Sequence, residues 1–317
     1  MQKAHDKGHA SLLATIVVTG VLGAVVVGST FALRPPSSTG ADALPAEATE
    51  AYGRQLLRET PKFLGPDHPD PQRRYSGTQM ACASCHLEIG ADPGTLSLLE
   101  TSTRYPRFMG RDGGVRDLKD RINGCMQRSM NGRALPRDGI EMIAMEAYIL
   151  SLGERFAAMG KTRRTPSEQA EFVEPNRRAN VDAGRVVYEE RCAVCHGGDG
   201  MGLSATTDPS DGYLFPPLWG PDSFNNGAGM HRVLTAARFI KARMPLGAAD
   251  LSDDEAYDVA AYMNSHPRPQ MSGLERDYPD RATKPIDSPY PPYADEFPVE
   301  QHRFGPFAPI REYYENR

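Results

Sequence analysis

Cys82-Ala83-Ser84-Cys85-His86 and Cys192-Ala193-Val194-Cys195-His196 are two copies of one five-residue pattern. Within Cys-x-x-Cys-His, two thiols reach the two vinyl groups of one haem while the adjoining imidazole meets its iron from one side. Two Cys-x-x-Cys pairs can also close a four-cysteine zinc site, but such a site needs no histidine behind either pair. Both pairs here are followed by one. The expectation is two covalently bound haem c groups, attached through Cys82, Cys85, Cys192 and Cys195, with His86 and His196 as proximal iron ligands.

Two haems fit the length, because 317 residues suggest roughly two domains of about 100 to 200 residues each. The 27 prolines and 30 glycines favour short helices joined by long ordered loops over large sheets. A net charge of -5 and a pI near 5.9 give no basis for nucleic-acid binding. Residues 11–33 carry no charge and come after Lys3 and Lys7. That length can cross a bilayer with residues 1–10 on the cytoplasmic side. The rival is a signal segment cut near Ala41-Asp42-Ala43. Both readings place the remainder of the chain on the periplasmic side, either anchored to the inner membrane or soluble.

Residues 34–48, rich in Pro, Ser, Gly and Ala, read as a tether. A first domain is expected over 49–158, a charged linker over 159–180, a second domain over 181–267 and an aromatic, Pro-rich strap over 268–317. The two domains read as a divergent duplication. In the second, Ser252 and Glu255 form a capping box ahead of Ala256, Val259, Ala260 and Met263 at helical spacing. In the first, Asp138 and Glu141 open a helix with an apolar face of Ile143, Ala144, Ala147 and Leu150. A helix also leads into each motif, through Gly184 and Tyr188 in one half and over about 46–59 in the other. In the first half, an insertion with Pro61, Pro66, Pro69 and Pro71 separates that helix from Cys82. The fold class is therefore all-α: two cytochrome c-like domains in tandem behind an N-terminal anchor or signal segment.

The distal iron ligands are less evident. For the second haem, Met244 lies before Pro245 and just ahead of the capped helix, where a thioether would favour reduced iron; Met201, Met230 and His231 compete. For the first, the duplication points to Met130, whereas Cys125 is the one cysteine outside the motifs and has no intrachain disulfide partner. Soft thiolate suits iron and would lower its potential. Around Cys125 an acidic chain turns basic. Arg104, Arg107, Arg111, Arg116, Lys119, Arg121, Arg128 and Arg133 face only Asp112, Asp117 and Asp120. Arginine forks suit oxyanions, so this segment, elsewhere commonly a solvated face or a haem-propionate clamp, reads better as an anion pocket beside the thiol.

From Asp120 to Pro136 (DRINGCMQRSMNGRALP) the sequence resembles the hallmark of dihaem thiosulfate dehydrogenases, which form tetrathionate. Glu59-Thr60, Gly110-Arg111, residues 241–247, and the tail with Pro292-Tyr293-Ala294-Asp295 and Glu300-Gln301-His302 extend the resemblance from about residue 50 to the end. It implies that Cys125 ligates the first haem opposite His86 and that Arg111, Arg121 and Ser129 shape the anion site. Some members use a lysine beside the second-haem methionine; here Arg243 precedes Met244, and a guanidinium that stays protonated is a poor iron ligand. The resemblance thus implies a His196/Met244 pair, unless Lys241 moves in. It also implies oxidation of two thiosulfate anions to tetrathionate, with electrons passing from the first haem to the second and on to a cytochrome or other redox acceptor. A dihaem carrier without catalysis is the alternative, and a haem peroxidase a third.

Overall fold

The computed structural model describes residues 46–94, 96–158, 160 and 171–317, which belong to one compact unit. The first half runs from α1 (Ala46–Arg58) through α2 (Thr60–Leu64), a hairpin of β1 (Arg107–Met109) and β2 (Gly114–Arg116), and α3 (Leu118–Arg128) to α4 (Ile140–Ala158). The second begins with α5 (Val181–Arg191), which leads directly into the one-turn α6 (Ala193–His196). It continues through β3 (Leu203–Ser204) and β4 (Tyr213–Phe215), α7 (Val233–Arg243) and α8 (Asp253–Ser265). The strap ends in α9 (Val299–Phe304) and α10 (Ala308–Glu315).

Glycine sets the helix crossing in each half. A Cβ on Gly53 of α1 would overlap the Ala144 carbonyl of α4, and one on Gly184 of α5 would overlap the Asp258 carbonyl of α8. Without side chains at those points the paired backbones touch, which brings the helix before each haem motif onto the last helix of its half. Ser252 caps α8 as its sequence promises: its Oγ accepts from Glu255 N at 3.2 Å, and the Glu255 carboxylate accepts in return from Ser252 N at 2.7 Å. Ala256, Val259, Ala260 and Met263 are all buried.

Two features depart from expectation. The described residues are mostly helical but also hold two antiparallel two-stranded sheets, β1 with β2 and β3 with β4. On α4 the apolar stripe lies one residue away from the predicted one: Met142, Ala144, Met145, Tyr148 and Ile149 are buried, while Ile143 and Leu150 are exposed. The Gly53 contact at Ala144 fixes that rotation, and Glu141 turns to Arg73 at 3.2 Å. No helix among the described residues is long and apolar enough to cross a membrane; the stretch 11–33 lies outside them.

The strap packs into the fold, with Phe307 and Ile310 fully buried. His302 stacks on Tyr293 at 3.6 Å and meets Asp295 at 3.0 Å, so one aromatic stack and one buried polar pair pin α9. Arg232, just ahead of α7, pairs with the buried Asp287 of the strap, while Arg178 reaches Glu300.

Candidate functional site

Helix α3 carries the site, and its N-terminus is firmly set. Asp117 Oδ1 accepts from Asp120 N at 2.9 Å, Asp120 Oδ2 accepts from Asp117 N at 3.1 Å, and Arg137 bridges both carboxylates. Arg121, Cys125 and Ser129 then recur four residues apart on one face. Arg121 Nη1 donates to Cys125 Sγ at 3.2 Å. The His86 side chain also acts on this thiol and lowers its pKa, so a histidine of one haem motif and the unpaired cysteine lie close together. Burial pushes the Cys125 thiol up, but the Arg121 guanidinium, the His86 imidazole and the charge of Arg111 outweigh it and hold the pKa at about 7. Ser129 closes the helix through its backbone N–H to the Cys125 carbonyl. Met130 packs into the core at 3% exposure, its carbonyl accepting from Gly77 N at 2.9 Å.

The arginine-rich segment does not form a single pocket. Arg104 pairs with Glu100, Arg116 with Asp112, and Arg133 donates to the backbone of Gln72 and Arg74. Arg121 and Arg111 contribute to the charge around Cys125. Arg111, in the turn of the β1–β2 hairpin, donates to Gly227 O at 3.1 Å and to Tyr278 Oη at 3.3 Å. Arg128, part of the basic segment but not among the residues the resemblance assigns to the anion site, also points at Gly227 O (3.4 Å) and pairs with Asp277 at 2.8 Å. Asp277 accepts in turn from Tyr290 Oη at 2.7 Å. The strap therefore builds a wall behind two arginines. A Cβ at Gly227 would press on Arg128 Nη1 at 2.6 Å, so the glycine permits the close approach.

The residues present fit two haems. His86 Nδ1 bonds to the Leu96 carbonyl at 2.6 Å and His196 Nδ1 to that of Pro216 at 2.8 Å. A ring whose Nδ1–H is held this way presents its Nε2 lone pair to a metal. All five cysteines are free, and burial pushes Cys82 up to about 11, Cys85 to about 12 and Cys192 to about 11, which keeps these thiols neutral. Arg243 Nε and Arg268 Nε are buried without hydrogen-bond partners, as suits groups awaiting a haem carboxylate. Met244 comes after the last turn of α7 and packs against the core. Lys241 is occupied elsewhere, donating to Leu251 O at 2.7 Å and facing Asp253 at 3.6 Å. Of the other candidates, Met201 is 41% exposed, Met230 is half-buried, and His231 is held by the Asn226 carbonyl at 2.9 Å.

Two family models match: the SoxA/TsdA cytochrome c domain over residues 72–155, and the cbb3-type cytochrome c oxidase subunit III over 179–263. Over 224 residues the chain is 42% identical to the thiosulfate dehydrogenase of Allochromatium vinosum, covering 68% of this chain and 77% of that one. The chain belongs to the thiosulfate dehydrogenase family. As in other thiosulfate dehydrogenases, its cofactors are covalently bound haem c, one for each motif-bearing domain. The solved thiosulfate dehydrogenase (TsdBA) of Marichromatium purpuratum, in its as-isolated form, matches with a TM-score of 0.62 at 34% identity. That match covers 74% of this chain and 50% of the other, so this chain spans half the length of that one. The thiosulfate dehydrogenase electron acceptor of Stutzerimonas stutzeri is 31% identical over 189 residues, covering 58% of this chain and 77% of that one. The likeness therefore extends both to thiosulfate dehydrogenases and to a protein named as their acceptor.

Proposed function

We propose that this chain oxidises two thiosulfate anions to tetrathionate and delivers two electrons, by way of the first and then the second haem, to an external redox acceptor. The observation that carries this reading is the Cys125 thiol, hydrogen-bonded by Arg121 and lowered in pKa by Arg121 and His86. A carrier needs no such thiol. When bound, the two haems supply one-electron acceptors, which divides a two-electron oxidation into single transfers. His86 and Cys125 are the residues that would hold the first iron, and His196 and Met244 the second. The core packing of Met130 and the engaged Lys241 support those choices over their rivals.

The protein's own part is electrostatic and covalent. Two dianions must approach each other, and the guanidinium groups of Arg121 and Arg111 offset their repulsion. Ser129, one turn beyond Cys125, would offer a hydroxyl to a sulfonate oxygen. Cys125 as thiolate forms an S–S bond to the terminal sulfur of one thiosulfate, giving Cys–S–S–SO3(-) and releasing two electrons. The terminal sulfur of a second thiosulfate attacks the thiosulfate-derived sulfur bonded to Cys125; tetrathionate leaves and the Cys125 thiolate is restored. Each step is reversible in principle, so the same groups serve tetrathionate reduction. The uncharged stretch 11–33 supports a location on the periplasmic side, anchored to the inner membrane.

A dihaem electron carrier is the second reading, favoured by the likeness to an acceptor protein. The two separate on one assay of the holoprotein: thiosulfate-dependent reduction of an artificial acceptor, with tetrathionate counted against electrons. The enzyme reading requires one tetrathionate per two electrons. Absence of turnover in both directions leaves the carrier.

A further inference from the structure

Arg243 is adjacent to Met244 at the end of α7, yet its guanidinium reaches into the other half of the chain. Nη1 pairs with Asp92 Oδ2 at 2.7 Å, and Nη2 donates to Pro93 O at 3.2 Å. Asp92 and Pro93 come soon after His86, in the loop whose Leu96 carbonyl holds the His86 ring. The arginine side chain is 17% exposed and the aspartate 32%, so the pair is less screened by water than an ordinary surface ion pair. Within that loop Glu88 (φ 51) and Ile89 (φ 57) adopt left-handed conformations that cost non-glycine residues energy. Such a loop needs an external hold, and Arg243 supplies one. On its other side, the Met244 backbone N–H is bonded to Ile240 O at 2.8 Å. The guanidinium thus links the turn bearing Met244 to the loop behind His86.

We propose that Arg243 is a positioning residue, whose ion pair with Asp92 ties the Met244 turn to the first half and keeps the thioether on the second haem. The proposal rests on the His196/Met244 reading. It makes the firmness of the second haem's distal side depend on a carboxylate of the first domain, so that the two donor sets move together.

The test uses the oxidised holoprotein and added imidazole, which competes with the thioether for the second iron. Binding is followed by loss of the ferric thioether charge-transfer band. Asp92→Asn, Arg243→Gln and the double variant are compared with wild type. An interaction that holds the turn predicts about tenfold tighter imidazole binding in each single variant and again about tenfold, not a hundredfold, in the double, because one shared bond is lost only once. Unchanged affinity in the single variants, or multiplying effects in the double, would overturn the proposal. Asp92→Asn is nearly isosteric and decides the matter alone if Arg243→Gln does not fold: tenfold tighter binding supports the tie, and wild-type affinity removes it. A wild-type protein without the thioether band would overturn the Met244 ligation and the proposal with it. A band with unchanged affinities would overturn the proposal only.

Discussion

Arg121 Nη1 lies 3.2 Å from Cys125 Sγ, one turn along α3, and its charge lowers the pKa of that half-buried thiol. The same guanidinium is available to an incoming dianion. Arg121→Gln is expected to lower kcat/KM for thiosulfate by about 100-fold, the usual scale for removing one oriented donor from developing charge. Steady-state kinetics on the holoprotein check it; a change under roughly threefold would show that the arginine is not at the reacting centre.

Asp277 and Arg128 are 9% and 13% exposed as side chains, 2.8 Å apart, and join the strap to α3. Asp277→Asn leaves a buried guanidinium without its counter-charge and weakens the partner of Tyr290 Oη. Breaking such a pair is expected to cost about 3 kcal/mol, read as a lower midpoint in chemical unfolding. The companion Tyr290→Phe, which removes only the hydroxyl, is expected to cost about 1 kcal/mol.

The helix crossings give a contrast internal to the chain. Gly184→Ala forces a Cβ onto the Asp258 carbonyl, so α5 must move off α8, at a cost of about 1 to 3 kcal/mol. Nothing lies within 4 Å of a Cβ built on Gly198, so Gly198→Ala is the control and is expected to stay within about 0.5 kcal/mol of wild type. Thermal unfolding of the two variants side by side checks the pair.

His231 supplies a pH dependence. Burial, then the charges of Arg268 and Arg303, lower its pKa from 6.5 to about 3. Between those values the unfolded ring is protonated while the folded one stays neutral. Unfolding therefore takes up a proton, and stability falls as pH drops from about 6.5 to 3, its contribution being complete above 6.5. His231→Asn is expected to flatten the acid limb of a stability–pH curve relative to wild type; an unchanged slope would count against the burial of a neutral ring.

Much of this is legible in the chain because the determinants are local. The Ser252–Glu255 box and the spacing from Ala256 to Met263 specify α8 and its buried face without help from elsewhere. The same kind of pattern puts α4 one residue out of phase, because Ile143 and Leu150 look more apolar than the methionines that carry the packing. There the Gly53 contact, far away in sequence, chooses the face. The arginines show the limit most clearly. Proximity in sequence suggests one pocket, but Arg104, Arg116 and Arg133 find partners away from Cys125. Arg111 is fixed by Gly227 and Tyr278, which lie 116 and 167 residues away, and Arg128 by Asp277, 149 residues away. No local pattern announces such partners, whereas Arg121 is four residues from Cys125 and readable as a helical neighbour.

The central claim is that Cys125 makes the first haem a catalytic centre. Its most direct test is thiosulfate-dependent acceptor reduction by Cys125→Gly, purified with both haems attached and checked spectroscopically for the first haem's distal ligand. Loss of the thiolate signature with a fall in rate of about 1,000-fold or more is the predicted result. A dihaem variant that turns over thiosulfate at the wild-type rate would contradict it.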